Sequence, residues 1–321
     1  MPSLYDLKNA NFRRKIFNSL KTAFFINVIK TTILIVTWLC GVILNSSIVA
    51  VYLRDWKNGM SLGECDQTIL IMGCNNLFLQ CFVTISETIM VYELYRNAMF
   101  YKEYYMVGCM LFLSVTYISM WLTACLSICY CVKLVNISHR VFARFQRGLS
   151  SASSVFLFGS VLISCLINVP LIWAMDTEFL ENTTLSVENS VYKLDIKFMS
   201  FSVVIGCCVP VLVTSLCIGL SMMSLLRHVQ RMKNKASQSW SPQLQSHVRT
   251  CRTMSFLLIL NLIFSLTVII LAMGLTNLKD VIVRHVLYWS VIITNPSAKA
   301  IVLIFGNTKL KMALSKICFC E

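Results

Sequence analysis

The chain has 321 residues, 57% of them hydrophobic and only 13% charged, with 28 Lys and Arg against 14 Asp and Glu, a net charge of +14 and a mean hydropathy of +0.72. A soluble globule carries about a quarter of its residues as charges, so this composition excludes one and describes an integral membrane protein. The positive balance does not point to nucleic acid, because the basic residues cluster between apolar stretches, as topology signals and contacts for anionic headgroups do.

In chain order, residues 1–30 carry Lys8, Arg13, Arg14, Lys15, Lys21 and Lys30 around a short apolar run, Ala23–Ile29. No small-residue cleavage site precedes Thr31, so the segment reads as an extracellular tail. It is either an amphipathic surface helix or an extension that adds little function. Seven apolar runs follow, each long enough for the roughly 20 helical residues that cross a bilayer: Thr31–Leu53, Thr68–Tyr92, Tyr104–Val132, Ser153–Met175, Phe198–Leu226, Thr253–Leu275 and Ile282–Gly306. The expected fold is an all-α bundle of seven transmembrane helices over residues 31–306. After it, Leu310, Leu314 and Ile317 recur at helical spacing among Lys309, Lys311 and Lys316, which predicts a short amphipathic helix and tail over 307–321. Cys318 and Cys320 beside it suit palmitoylation.

Lys and Arg crowd the loops after the first, third and fifth spans and the carboxyl end, and are sparse in the alternate loops. That bias places the amino terminus outside and the carboxyl terminus in the cytoplasm of a multi-pass plasma-membrane protein; only the basic tail votes the other way. Three sequons begin at Asn45, Asn136 and Asn182, and with this orientation Asn182, in the loop after the fourth span, is the one a glycosyltransferase would reach.

Enzymatic chemistry has little support, because Glu87 is the one acidic residue clearly inside a span and paired carboxylates are missing. Ten of the fifteen cysteines lie in apolar runs as small hydrophobes, and the four histidines lie far from the CxC pairs, so no metal or cofactor is expected. Pro170, Pro210 and Pro296 punctuate spans, as kinks in the packing or as hinges of a pocket. At 1.5 Å per residue, Asn45 and Asn76 lie about 12 Å, and Lys299 about 10 Å, from the inner ends of their spans. Three polar residues at one level make a structural or switching cluster; the alternative for Lys299 is a stem that snorkels to the headgroups. Glu87 sits near the outer end of its span, about 8 Å deep, where it either snorkels outward or faces a pocket that takes protonated amines.

Seven spans with basic inner loops resemble a G-protein-coupled receptor, yet the third span lacks an acidic-Arg pair, the sixth lacks a proline and the seventh reads NPSAK over 295–299. Three blocks in order narrow the resemblance. Trp121-Leu122 followed by LSICYCVKLVNISH, then Leu225-Leu226-Arg227-His228 with Met232, Ser241-Pro242 and His247, then Pro296-Ser297 followed by LIFGNTKLK resemble the bitter taste receptors, taste receptor type 2, along nearly the whole chain. The resemblance implies small bitter agonists in a pocket of the extracellular half, lined by Phe112 and Thr116 on the third span, Ile263 on the sixth, Trp289 on the seventh and Glu87 on the second. It also implies a heterotrimeric G protein of the gustducin or inhibitory kind at Lys133, His139, Arg140, His228 and Lys233. Homo-oligomers are compatible with it. Where that family commonly has arginine in the second span this chain has Asn76, and where it has histidine in the seventh it has Lys299, so the inner cation is expected to have moved between helices. A vomeronasal type 1 receptor is the neighbouring reading. A transporter or channel is the reading from another class, and it would call for repeats and an ionisable central pathway.

Overall fold

The computed structural model describes residues 4–93, 101–134, 155–172, 175–179, 190–194, 196–233, 242–272 and 281–319. Helices dominate them, as an all-α membrane bundle requires. Six helices are long and apolar enough to cross a membrane, and the helix Val281–Gly306 brings the spans to seven, its 26 residues rising about 39 Å. An eighth helix, Thr308–Phe319, follows the last span.

The first helix runs without a break from Leu4 to Lys57. Residues 3–40 hold neither proline nor glycine, so nothing interrupts it at residue 30, and residues 4–30 continue into the first span as one helix. Its end is built instead. Gly59, at φ 76°, donates its N–H to the Trp56 carbonyl, and Met60 donates to Asp55, each at 3.0 Å. This pair of bonds closes the helix with a left-handed residue that only glycine adopts at no steric cost, while Arg54 and Lys57 complement the negative end of the helix dipole.

Two of the three intramembrane prolines alter the form of their helix. The fourth span is helical over 155–166 and tightens into a 3₁₀ turn, Val169–Ile172, around Pro170. In the fifth span, which comprises Ile196–Val203 and Val209–Lys233, Pro210 cannot donate to Gly206, and the ladder slips to a π turn over Val204–Cys208. Pro296 lies inside the seventh helix.

The first helix packs beside the second and seventh, the third beside the second, fifth and sixth, and the sixth beside the fifth and seventh. The third helix, Tyr101–Leu134, is the most enclosed and forms the central rod. Two apolar cores flank it. One, around Tyr52, Met72, Leu122, Leu126 and Leu303, lies toward the eighth helix; the other, around Tyr117, Met120, Phe264 and Ile292, lies toward the opposite end. The loop after the fourth span carries an antiparallel pair of strands, Met175–Phe179 with Ser190–Leu194. Asn182 lies outside the described residues.

Candidate functional site

Between the first, second and seventh helices runs a polar seam on one face of the first helix, Thr37, Gly41 and Asn45 at a four-residue spacing, to which Thr37 and Gly41 contribute backbone carbonyls and Asn45 its side chain. Asn45 is fully buried; its Nδ2 donates to the Gly41 carbonyl at 2.9 Å and to the Pro296 carbonyl at 3.5 Å, and its Oδ1 accepts from Asn76 Nδ2 at 3.1 Å. One turn along, Gln80 Nε2 donates to Ser297 Oγ at 2.9 Å, and Ser297 Oγ donates to the Thr37 carbonyl at 2.8 Å. Gly41 makes the contact possible, since a Cβ there would run into the Gln80 amide and Ser297 Oγ. Close backbones joined by polar side chains are how membrane helices associate where lipid removes the hydrophobic drive, at about 0.6 kcal/mol per bond.

Lys299 projects the other way from the seventh helix, toward the third. Its side chain is 2% exposed, and Nζ donates to Ser119 Oγ at 2.8 Å. Among the described residues no carboxylate pairs with it. The expected cluster is therefore split into two bonds, Asn45 with Asn76 and Lys299 with Ser119. Both still meet in space, because Asn76, Thr116, Ser119, Asn295 and Lys299, with Met120 and Phe264, line one small cavity whose clear space is that of a single water-sized group. A burial this complete rules out a side chain snorkelling to the surface.

At the eighth-helix end a second constellation clamps that helix to the first. Asn307 is its N-cap: Oδ1 accepts the Lys309 N–H at 2.9 Å while Nδ2 donates to Tyr52 Oη at 2.9 Å. The Lys309 ammonium pairs with the buried Asp55 carboxylate at 2.5 Å and stands 5.2 Å from the Tyr52 ring centroid. The amphipathic pattern announces this helix, but not the side chains that hold it. Asn before Thr-Lys and an apolar repeat is the available signal for the cap.

The other sequence-predicted site residues meet different fates. Thr116 is buried in the cavity wall, and Phe112, one turn away, is half-buried against the Tyr117–Phe264 core. Ile263 is 48% exposed on the outer side of its helix, and Phe264 takes the inward place, 2% exposed. A one-residue step turns a helical side chain by about 100°, which separates the two. Glu87 and Trp289 stand on the second and seventh helices, and His228 and Lys233 on the fifth, with side chains outside the described residues. Lys133 is exposed at the end of the third helix, whereas His139 and Arg140 lie outside the described residues. Cys318, like Glu87, stands on a described helix without a described side chain, and Cys320 lies beyond the described residues.

Comparison with known proteins follows the same lines. The family model described as Taste receptor protein (TAS2R) matches residues 22–321. The chain is similar to taste receptor type 2 member 4 of Gorilla gorilla gorilla, 25% identical over 282 residues that cover 87% of this chain and 93% of the relative, and to member 4 of Homo sapiens, 24% identical over the same lengths. Member 124 of Rattus norvegicus is 25% identical over 290 residues, 89% of this chain and 91% of that one.

Proposed function

The chain belongs to the taste receptor protein (TAS2R) family, bitter-taste G-protein-coupled receptors rather than enzymes, and from that premise we propose how its own residues receive an agonist and pass the signal on. Small molecules enter from the extracellular side and lodge between the third, sixth and seventh helices. Phe112 and Thr116 form the wall on the third helix, Phe264 replaces Ile263 on the sixth, and Trp289 and Glu87 shape the mouth. The observation that supports this most is the cavity itself, a buried polar hollow at Thr116 and Lys299 in contact with the central helix.

The amino terminus is outside and the carboxyl terminus cytoplasmic in the plasma membrane, with Asn182 glycosylated. In the resting state Asn45, Asn76 and Lys299 hold the first, second, third and seventh helices together, in place of the absent acidic-Arg pair. Agonist acts by binding the rearranged packing more tightly than the resting one, since equal affinity for both would shift nothing. Rearrangement exposes the basic ends of the third and fifth helices, Lys133, His139, Arg140, His228 and Lys233, to a G protein of the gustducin or inhibitory type. Nucleotide exchange on purified gustducin, inhibitory and other classes of G protein, driven by membranes that display the chain and by a panel of bitter compounds, tests this. Agonist-dependent exchange on either G protein is expected, and exchange confined to other G-protein classes would refute the coupling.

A further inference from the structure

The cavity between the third and seventh helices holds more hydrogen-bonding capacity than the protein uses. Lys299 has three donors on Nζ and spends one on Ser119 Oγ. Thr116, 4% exposed, has no partner for Oγ1, although the helical threonines Thr123, Thr214, Thr253 and Thr267 all donate back to the carbonyl four residues earlier. Asn76 has committed its Nδ2 to Asn45, which turns Oδ1 out as a bare acceptor, and Asn295 Oδ1 is likewise unpaired. Buried groups of this kind are costly to leave unpaired and are the means by which a site selects its ligand.

Donors and acceptors together define the partner. An ammonium ligand would face Lys299, and a carboxylate would set its lone pairs against the Asn76 and Asn295 oxygens. An ether accepts but cannot donate. The clear space is that of one water-sized group. One oxygen that accepts twice and donates once answers the Lys299 and Thr116 donors and one of the two bare acceptors.

We propose that this cavity is a subsite for the hydroxyl of an alcohol or phenol, whose oxygen accepts from Lys299 Nζ and Thr116 Oγ1 and donates to Asn76 Oδ1, with the apolar body of the ligand against Met120 and Phe264. The inference rests on the receptor reading only for the identity of the occupant as an agonist. It also gives the ligand a direct hold on the seventh helix, through the same lysine that binds the third.

The test uses the full chain in nanodiscs and two probes that differ by one methyl group, 4-ethylphenol and 4-ethylanisole, with affinities taken from the ligand dependence of thermal unfolding. At least tenfold tighter binding of the phenol is expected, and Thr116→Val and Lys299→Met should each reduce that preference to less than threefold. Equal binding of the two probes by the unaltered chain would overturn the proposal even if Lys299→Met fails to fold. So would an undiminished preference in Thr116→Val. Because binding is read without a G protein, a chain that prefers the phenol yet never activates one refutes the receptor reading, and a signalling chain with equal affinities refutes the subsite.

Discussion

Asn307 offers a test in which the structure assigns each part of the energy. Replacing it by alanine removes the cap on the eighth helix, worth about 1 kcal/mol, and the bond to Tyr52 Oη, worth about another 1 kcal/mol. Asn307→Ala should therefore cost about 2 kcal/mol. Tyr52→Phe removes the second contribution alone and should cost about 1 kcal/mol. The double variant should be no worse than Asn307→Ala, a coupling of about 1 kcal/mol that identifies a direct contact. Thermal unfolding of the purified chain in nanodiscs reads these differences, at roughly 2–4 °C per kcal/mol for a large domain. Strictly additive losses would refute the clamp. So would Asn307→Ala behaving like Tyr52→Phe, because the cap would then contribute nothing.

Gly41→Ala should destabilise the bundle by about 1–3 kcal/mol, on the scale of overpacking, since the new Cβ displaces the Gln80 amide and Ser297 Oγ; yield and melting of the variant, set against Ser46→Ala at an exposed position of the same helix, give the comparison. Asn76→Arg brings a second cation into the cavity of Lys299 and should impair signalling, and adding Lys299→His should restore it in part; a double variant no better than the worse single would refute a relocated charge. Glu87→Gln should weaken cationic agonists by up to about fivefold, the scale of one favourable charge contact, and leave neutral ones unchanged in a dose-response assay, whereas equal loss of both would remove Glu87 from the pocket.

The spans are readable in the sequence because lipid demands long apolar helices, and each run announces one. Depth is readable too: Asn45 and Asn76, placed at one level by counting residues, do meet at 3.1 Å. Azimuth is not. Counting cannot say which way Lys299 turns about its helix, so its partner Ser119 stays hidden. Gln80, Ser297 and Thr37 carry no signal of their own, because common polar residues in a span become a seam only when three helices bring them together. The tail and the first span form one helix for a local reason, since residues 3–40 hold no proline or glycine to interrupt it. Pro210 is recognisable as a disturbance of its helix, but the form it takes, a π turn at Val204–Cys208, depends on the packing around it.

The most direct test of the receptor account is a dose-response measurement on cells that display the chain at their surface, with a calcium reporter coupled through a promiscuous G protein and a broad panel of bitter compounds. The account predicts saturable activation by at least one compound, with Phe112→Ala and Thr116→Val each raising the half-maximal concentration about tenfold or more at unchanged surface display. Silence of the displayed chain across the panel, or activation that both substitutions leave unaltered, would contradict it.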